Sequence, residues 1–121
     1  MTANSKSIQG RRVLLVEDEY LIADDLRRSF GDAGATIVGP VPTTRDAIAI
    51  LDRGERVDAA VLDVNLRGEP VYPLVDRLQA DGVPMVFVTG YDATEIPPRY
   101  RHIPLCEKPA TMSRMIAALT R

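Results

Sequence analysis

Short apolar runs alternate along this chain with stretches whose apolar residues recur at helical spacing. Arg12, Val13, Leu14, Leu15 and Val16 predict a buried strand. Residues 19–33 predict a helix, with Ile22, Leu26, Phe30 and Ala33 on one face. Gly34 stands where a helix-ending glycine belongs. Residues 36–39 predict a second, weaker strand. Thr43 or Thr44 is placed to cap a helix that runs through Arg53, buries Ala47, Ile48 and Leu51, and stops at Gly54. Residues 58–64 predict the third strand. Residues 70–80 predict the third helix, its stripe being Val71, Leu74, Val75 and Leu78. Residues 84–89 and 103–107 predict the fourth and fifth strands. Residues 111–120 predict the last helix, with Met112, Met115, Ile116 and Leu119 inward.

Strands that are nearly continuous apolar runs are buried on both faces. Alternated with helices, they imply an α/β fold with a doubly wound parallel sheet. One connection breaks the pattern. Residues 90–102 carry Pro97-Pro98 and little helical periodicity, which predicts an irregular loop or a single turn.

Composition narrows this picture only a little. With 121 residues, one domain is the expectation. Residues 1–10 are polar and predict a mobile leader, leaving 11–121 as the domain. A net charge of -2 argues against nucleic acid as a partner. No apolar run approaches the roughly 20 residues needed to span a bilayer. Cys106 is alone, so no internal disulfide forms, and a reducing cytoplasm is the expected location. Cys106 itself is expected to be a buried structural thiol, and His102 a solvated loop residue.

The candidate chemistry lies at the strand ends, because ligands of doubly wound sheets bind at the carboxyl edge. The first strand ends in Glu17, Asp18 and Glu19, the third in Asp63, the fourth in Thr89, and the fifth in Glu107, Lys108 and Pro109. Converging carboxylates without His or Cys suit Mg²⁺. Lys108 adds a point charge and Thr89 a hydroxyl. Metal, ammonium and hydroxyl together match the charge of a transferring phosphoryl group, and a carboxylate nucleophile forms an acyl phosphate. Taken singly, each residue has an ordinary explanation: acids cap helices, and lysines sit on surfaces. Their order along the chain favours the site.

In that order, Glu17-Asp18, Asp63, Thr89 and Lys108-Pro109 resemble the receiver domains of two-component response regulators, over residues 12–119. The resemblance implies a flavodoxin-like five-stranded sheet of order 2-1-3-4-5. It implies that Asp63 is the phosphoacceptor, with Thr89 and Lys108 contacting the phosphoryl oxygens. It also implies that Asp18, Asp63 and the backbone carbonyl of Asn65 ligate Mg²⁺, that Glu17 acts mostly through water, and that Lys108-Pro109 is cis. Residues 84–91, PMVFVTGY, are further similar to the FATGUY receivers of alphaproteobacteria, whose fourth helix is short or absent. The implied partners are a histidine kinase or histidine phosphotransfer protein and a downstream protein, with the chain a monomer or weak dimer. Receivers are phosphoacceptors rather than enzymes acting on external substrates.

Two departures stand out. Leu105 replaces the aromatic usual three residues before the lysine, and Ala110 replaces the phenylalanine usual after Lys-Pro. Tyr91 and residues 90–102 are then the expected switch. Tyr20, Ala23, Asp24, Arg27, Pro109 and Ala110 are the expected docking rim for the phosphoryl donor. Two other readings compete. A haloacid-dehalogenase-type phosphatase uses similar groups, but it carries Asp-x-Asp on its first strand, whereas Asp63 is followed by Val64-Asn65. A degenerate receiver that binds partners without phosphorylation would not need all five polar residues.

Overall fold

The computed structural model describes residues 7–66, 69–90 and 96–120. Five strands form one parallel sheet: β1 (Arg12–Val16), β2 (Thr36–Val41), β3 (Ala59–Asp63), β4 (Met85–Thr89) and β5 (Leu105–Glu107). Their order is β2-β1-β3-β4-β5, as expected. Among the described residues, four helices connect or follow them: α1 (Tyr20–Asp32), α2 (Thr44–Asp52), α3 (Tyr72–Ala80) and α4 (Met112–Leu119). Between β4 and β5 the described residues hold a single 3-10 turn, Pro98–Tyr100, and no α-helix.

Alternation along the strands makes two cores. Leu14, Val16, Ala60, Leu62, Met85 and Phe87 face α2 and α3. Val13, Leu15, Ala59, Val61, Val86 and Val88 face α1 and α4. Phe87 and Phe30 are fully buried, one in each layer. Burying such a side chain contributes about 1.5–3 kcal/mol.

The helix ends follow their side chains. Thr43 caps α2 by accepting from the backbone N–H of Asp46, and Thr111 caps α4 by accepting from that of Arg114. Such caps are each worth about 1 kcal/mol. Gly34 follows α1 at φ +95°, a conformation that L side chains rarely adopt.

Three local expectations change. β2 extends past Gly39 to Val41 through a cis Gly39-Pro40 bond. An edge strand tolerates a proline, since no neighbour waits for its missing N–H. Ile8, inside the stretch expected to be a leader, is 2% exposed and packs in the core beneath α1 and α4. Ala23, expected on the docking rim, is buried instead.

Candidate functional site

The register sets the site. β1 pairs with β3 so that Val16 lies opposite Leu62, and β3 pairs with β4 so that Asp63 lies opposite Val88. β4 pairs with β5 so that Thr89 lies opposite Glu107. The strands therefore end at one level, and the residues at or just past those ends share one rim. The backbone N–H of Lys108 donates to the Thr89 carbonyl at 2.8 Å, which carries the ladder one residue further. Lys108-Pro109 is cis.

The predicted residues meet there. Carboxylate oxygens of Glu17, Asp18 and Asp63 lie within 4.8 Å of one another. Lys108 Nζ lies 3.2 Å from both Asp63 Oδ2 and Glu17 Oε1. Asp63 Oδ1 accepts from the backbone N–H of Asn65 at 2.8 Å. Glu17 Oε2 accepts from the backbone N–H of Glu19 at 3.1 Å. Asn65 Nδ2 donates to Thr89 Oγ1 at 2.8 Å. Glu17, Asp63 and Thr89 are all buried, while Asp18, Asn65 and Lys108 are half-buried at the mouth.

Electrostatics in the pocket is unbalanced. Burial pushes the Glu17 carboxyl up to about 7, a hydrogen bond with Asp63 pushes the same way, and the Glu19 N–H and Lys108 pull it back. Burial works against the Lys108 charge, but the Asp63 and Glu17 carboxylates outweigh it and hold its pKa above the ordinary lysine value. One ammonium thus serves two buried carboxylates, with Asp18 beside them.

Such a pocket fits a hard divalent cation. The donors are carboxylate oxygens without His or Cys. Glu17 Oε1 is buried and accepts no directional hydrogen bond, its contact being the ion pair with Lys108. A second positive charge would relieve both features. Receiver domains typically use Mg²⁺, and this acidic cluster has the composition for it.

Residues 13–119 match the family described as response regulator receiver domain. The chain belongs to that family. The solution structure of SdrG from Sphingomonas melonis Fr1 is 39% identical, with a TM-score of 0.78, covering 93% of this chain and 95% of that one. The BeF3-activated conformation of SdrG gives the same identity and TM-score, covering 91% and 96%. Among curated relatives, the phyllosphere-induced regulator PhyR of Methylorubrum extorquens is 30% identical over 81 residues, covering 65% of this chain and 30% of the relative. The transcriptional regulatory protein TcrA of Mycobacterium tuberculosis is 36% identical over 88 residues, covering 71% and 34%. The match therefore spans about a third of each of these curated relatives.

The receiver's other expected parts are placed unevenly. Leu105 is half-buried against the core that also holds Tyr100 and Phe87. Tyr91 lies outside the described residues. The side-chain link from Asn65 to Thr89 was not foreseen. A strand pattern locates both residues at neighbouring strand ends but carries no sign of which side chains bond.

Proposed function

We propose that this receiver takes a phosphoryl group on Asp63 from a phosphohistidine donor and signals through a changed protein-binding surface. A carboxylate oxygen of Asp63 attacks phosphorus, the P–N bond to the donor imidazole breaks, and an acyl phosphate forms. The bonding electrons leave with the imidazole, which is released as a neutral histidine once it holds one proton. The observation that carries this reading is the position of Asp63. It is a buried carboxylate held by a backbone N–H on one oxygen and by Lys108 on the other, beside two further acids.

The surrounding groups supply what the transfer needs. Lys108 stands where it can follow negative charge from the carboxylate to the phosphoryl oxygens. Thr89 brings a hydroxyl to the same edge from the neighbouring strand. Asp18, Asp63 and the carbonyl of Asn65 would hold Mg²⁺, with Glu17 reaching it through water. Bound there, the cation supplies positive charge to the phosphoryl oxygens as they gather negative charge. The burial of Asp63 and Glu17 keeps bulk water from weakening these interactions. The low exposure also favours a donor that brings its phosphoryl group on a protruding side chain. A histidine kinase or phosphotransfer protein meets that description, and a cytoplasmic location agrees with it.

The test is direct. Acetyl phosphate with Mg²⁺ should add one phosphoryl group to the wild-type chain, read by intact-mass spectrometry, and Asp63→Asn should take none. Labelling of Asp63→Asn at the wild-type level would refute the assignment.

A further inference from the structure

Asn65 enters the site twice. Its backbone N–H donates to Asp63 Oδ1, and its side-chain Nδ2 donates to Thr89 Oγ1, each at 2.8 Å. One residue therefore grips both the nucleophile and a hydroxyl from the next strand, 24 positions away. Thr89 is 1% exposed, so water is a poor substitute for the amide. A threonine side chain has discrete χ1 wells. A donor held at 2.8 Å from Oγ1 favours the well that keeps the oxygen in the pocket. A hydroxyl that accepts from an amide does so through a lone pair and not through its proton. Donation toward developing negative charge is what the transfer asks of it.

We propose that the side chain of Asn65 is a positioning residue for Thr89. It holds the hydroxyl beside Asp63 before the phosphoryl group arrives, and so raises the transfer rate without touching the phosphoryl group. This rests on the reading of Asp63 as phosphoacceptor. It is separate from any use of the Asn65 carbonyl as a metal ligand, because a side-chain substitution leaves both backbone groups in place.

The experiment measures the rate of labelling by acetyl phosphate at saturating Mg²⁺, where the P–O bond to acetate breaks and acetate leaves. It also measures affinities for beryllofluoride and for Mg²⁺ alone, by NMR titration. In Asn65→Ala the rate and the beryllofluoride affinity should each fall about three- to tenfold, the worth of one hydrogen bond. Mg²⁺ affinity should stay within about twofold. In a Thr89→Ala background, Asn65→Ala should produce no further loss, because the partner it positions is gone. Asn65→Ser should behave like Asn65→Ala, and replaces it if the alanine variant does not fold. An unchanged rate in a folded Asn65 variant would overturn the proposal. So would the same loss with Thr89 already removed, or a parallel fall in Mg²⁺ affinity. If the wild-type chain itself takes no label, the phosphoacceptor reading fails and this proposal with it, an outcome that the wild-type lane distinguishes from the others.

Discussion

A carboxyl group buried beside another carboxyl holds its proton more tightly than one in water. Glu17 is in that position, with its pKa pushed up to about 7 from an ordinary 4.5, first by burial and then by Asp63. The folded chain therefore binds more protons than the unfolded chain between those two values. Stability must fall as pH rises through that window and level off above it. The lowered Asp24 and raised Lys108 values lie on either side of the window and do not cancel the effect. In EDTA, the melting temperature should thus be higher at pH 5.5 than at pH 8. Mg²⁺ should raise it more at pH 8, where three carboxylates await a counter-charge. Glu17→Gln should flatten the EDTA slope. Differential scanning calorimetry showing a flat or rising melting temperature over this range in wild-type EDTA samples would contradict the argument. The acidity of this site was legible in the sequence, because Glu17, Asp18 and Asp63 end apolar runs. The imbalance among them was not, since it depends on Glu17 being buried and Asp18 only half so.

At the scale of elements, the connection from β4 to β5 is held down by aromatic contacts. Tyr72 of α3 meets Phe87 of β4 edge to face, with ring centroids 6.4 Å apart. Tyr72 also stacks on Tyr100 of the 3-10 turn at 4.6 Å. Tyr100 donates its hydroxyl proton to Asp76 Oδ1 at 2.9 Å, and the Arg99 guanidinium lies over its ring. Ile96 and Ile103 are buried on either side. The expected mobile segment is therefore anchored to α3 over its described second half, while Tyr91 and the rest of that expectation fall outside the described residues. Proline and weak periodicity announced that the described residues of this connection hold no α-helix. They did not reveal the anchor, because Tyr72 and Tyr100 come together only through tertiary packing. Tyr100→Phe should cost about 1 kcal/mol through the lost hydrogen bond. Tyr100→Ala should cost about 3–5 kcal/mol, since it opens a cavity as well. Urea titration checks both values, and hydrogen exchange should show residues 96–103 loosened in the alanine variant. A Tyr100→Ala stability within 1 kcal/mol of wild type would mean that the stack carries little of the anchoring.

On the scale of the whole molecule, the sheet divides the protein into two faces that meet the site differently. The α2–α3 face carries the anchored connection, whereas the α1–α4 face opens beside the pocket. Along that second face Ile22, Leu26, Pro109, Ala110 and Met112 line a groove that reaches Lys108. At the start of α1, Tyr20 and Leu21 are 79% and 80% exposed, directly after the acidic residues of the site. These are the large apolar side chains that stay exposed among the described residues. Of the residues expected on the rim, Ala23 is buried, while Leu21, which was not among them, is exposed. A helical spacing argument put Ala23 outward, but it could not weigh how closely α1 packs on the sheet. Under the proposed function, exposed apolar residues beside the pocket suit a protein donor that must seat itself before its phosphoryl group reaches Asp63. A small donor needs no such seat. Leu21→Asp should therefore slow phosphotransfer from a cognate kinase or phosphotransfer protein by about tenfold or more, and leave acetyl phosphate labelling within about twofold. Folding should be unaffected, because substitutions at so exposed a position usually change stability by less than about 0.5 kcal/mol. Parallel kinetics with the two donors separate the cases. Equal losses would place the defect in the pocket, and no loss with the protein donor would place the docking surface elsewhere. Only a loss confined to the protein donor assigns the start of α1 to recognition, leaving the proposed chemistry to Asp63 and its neighbours.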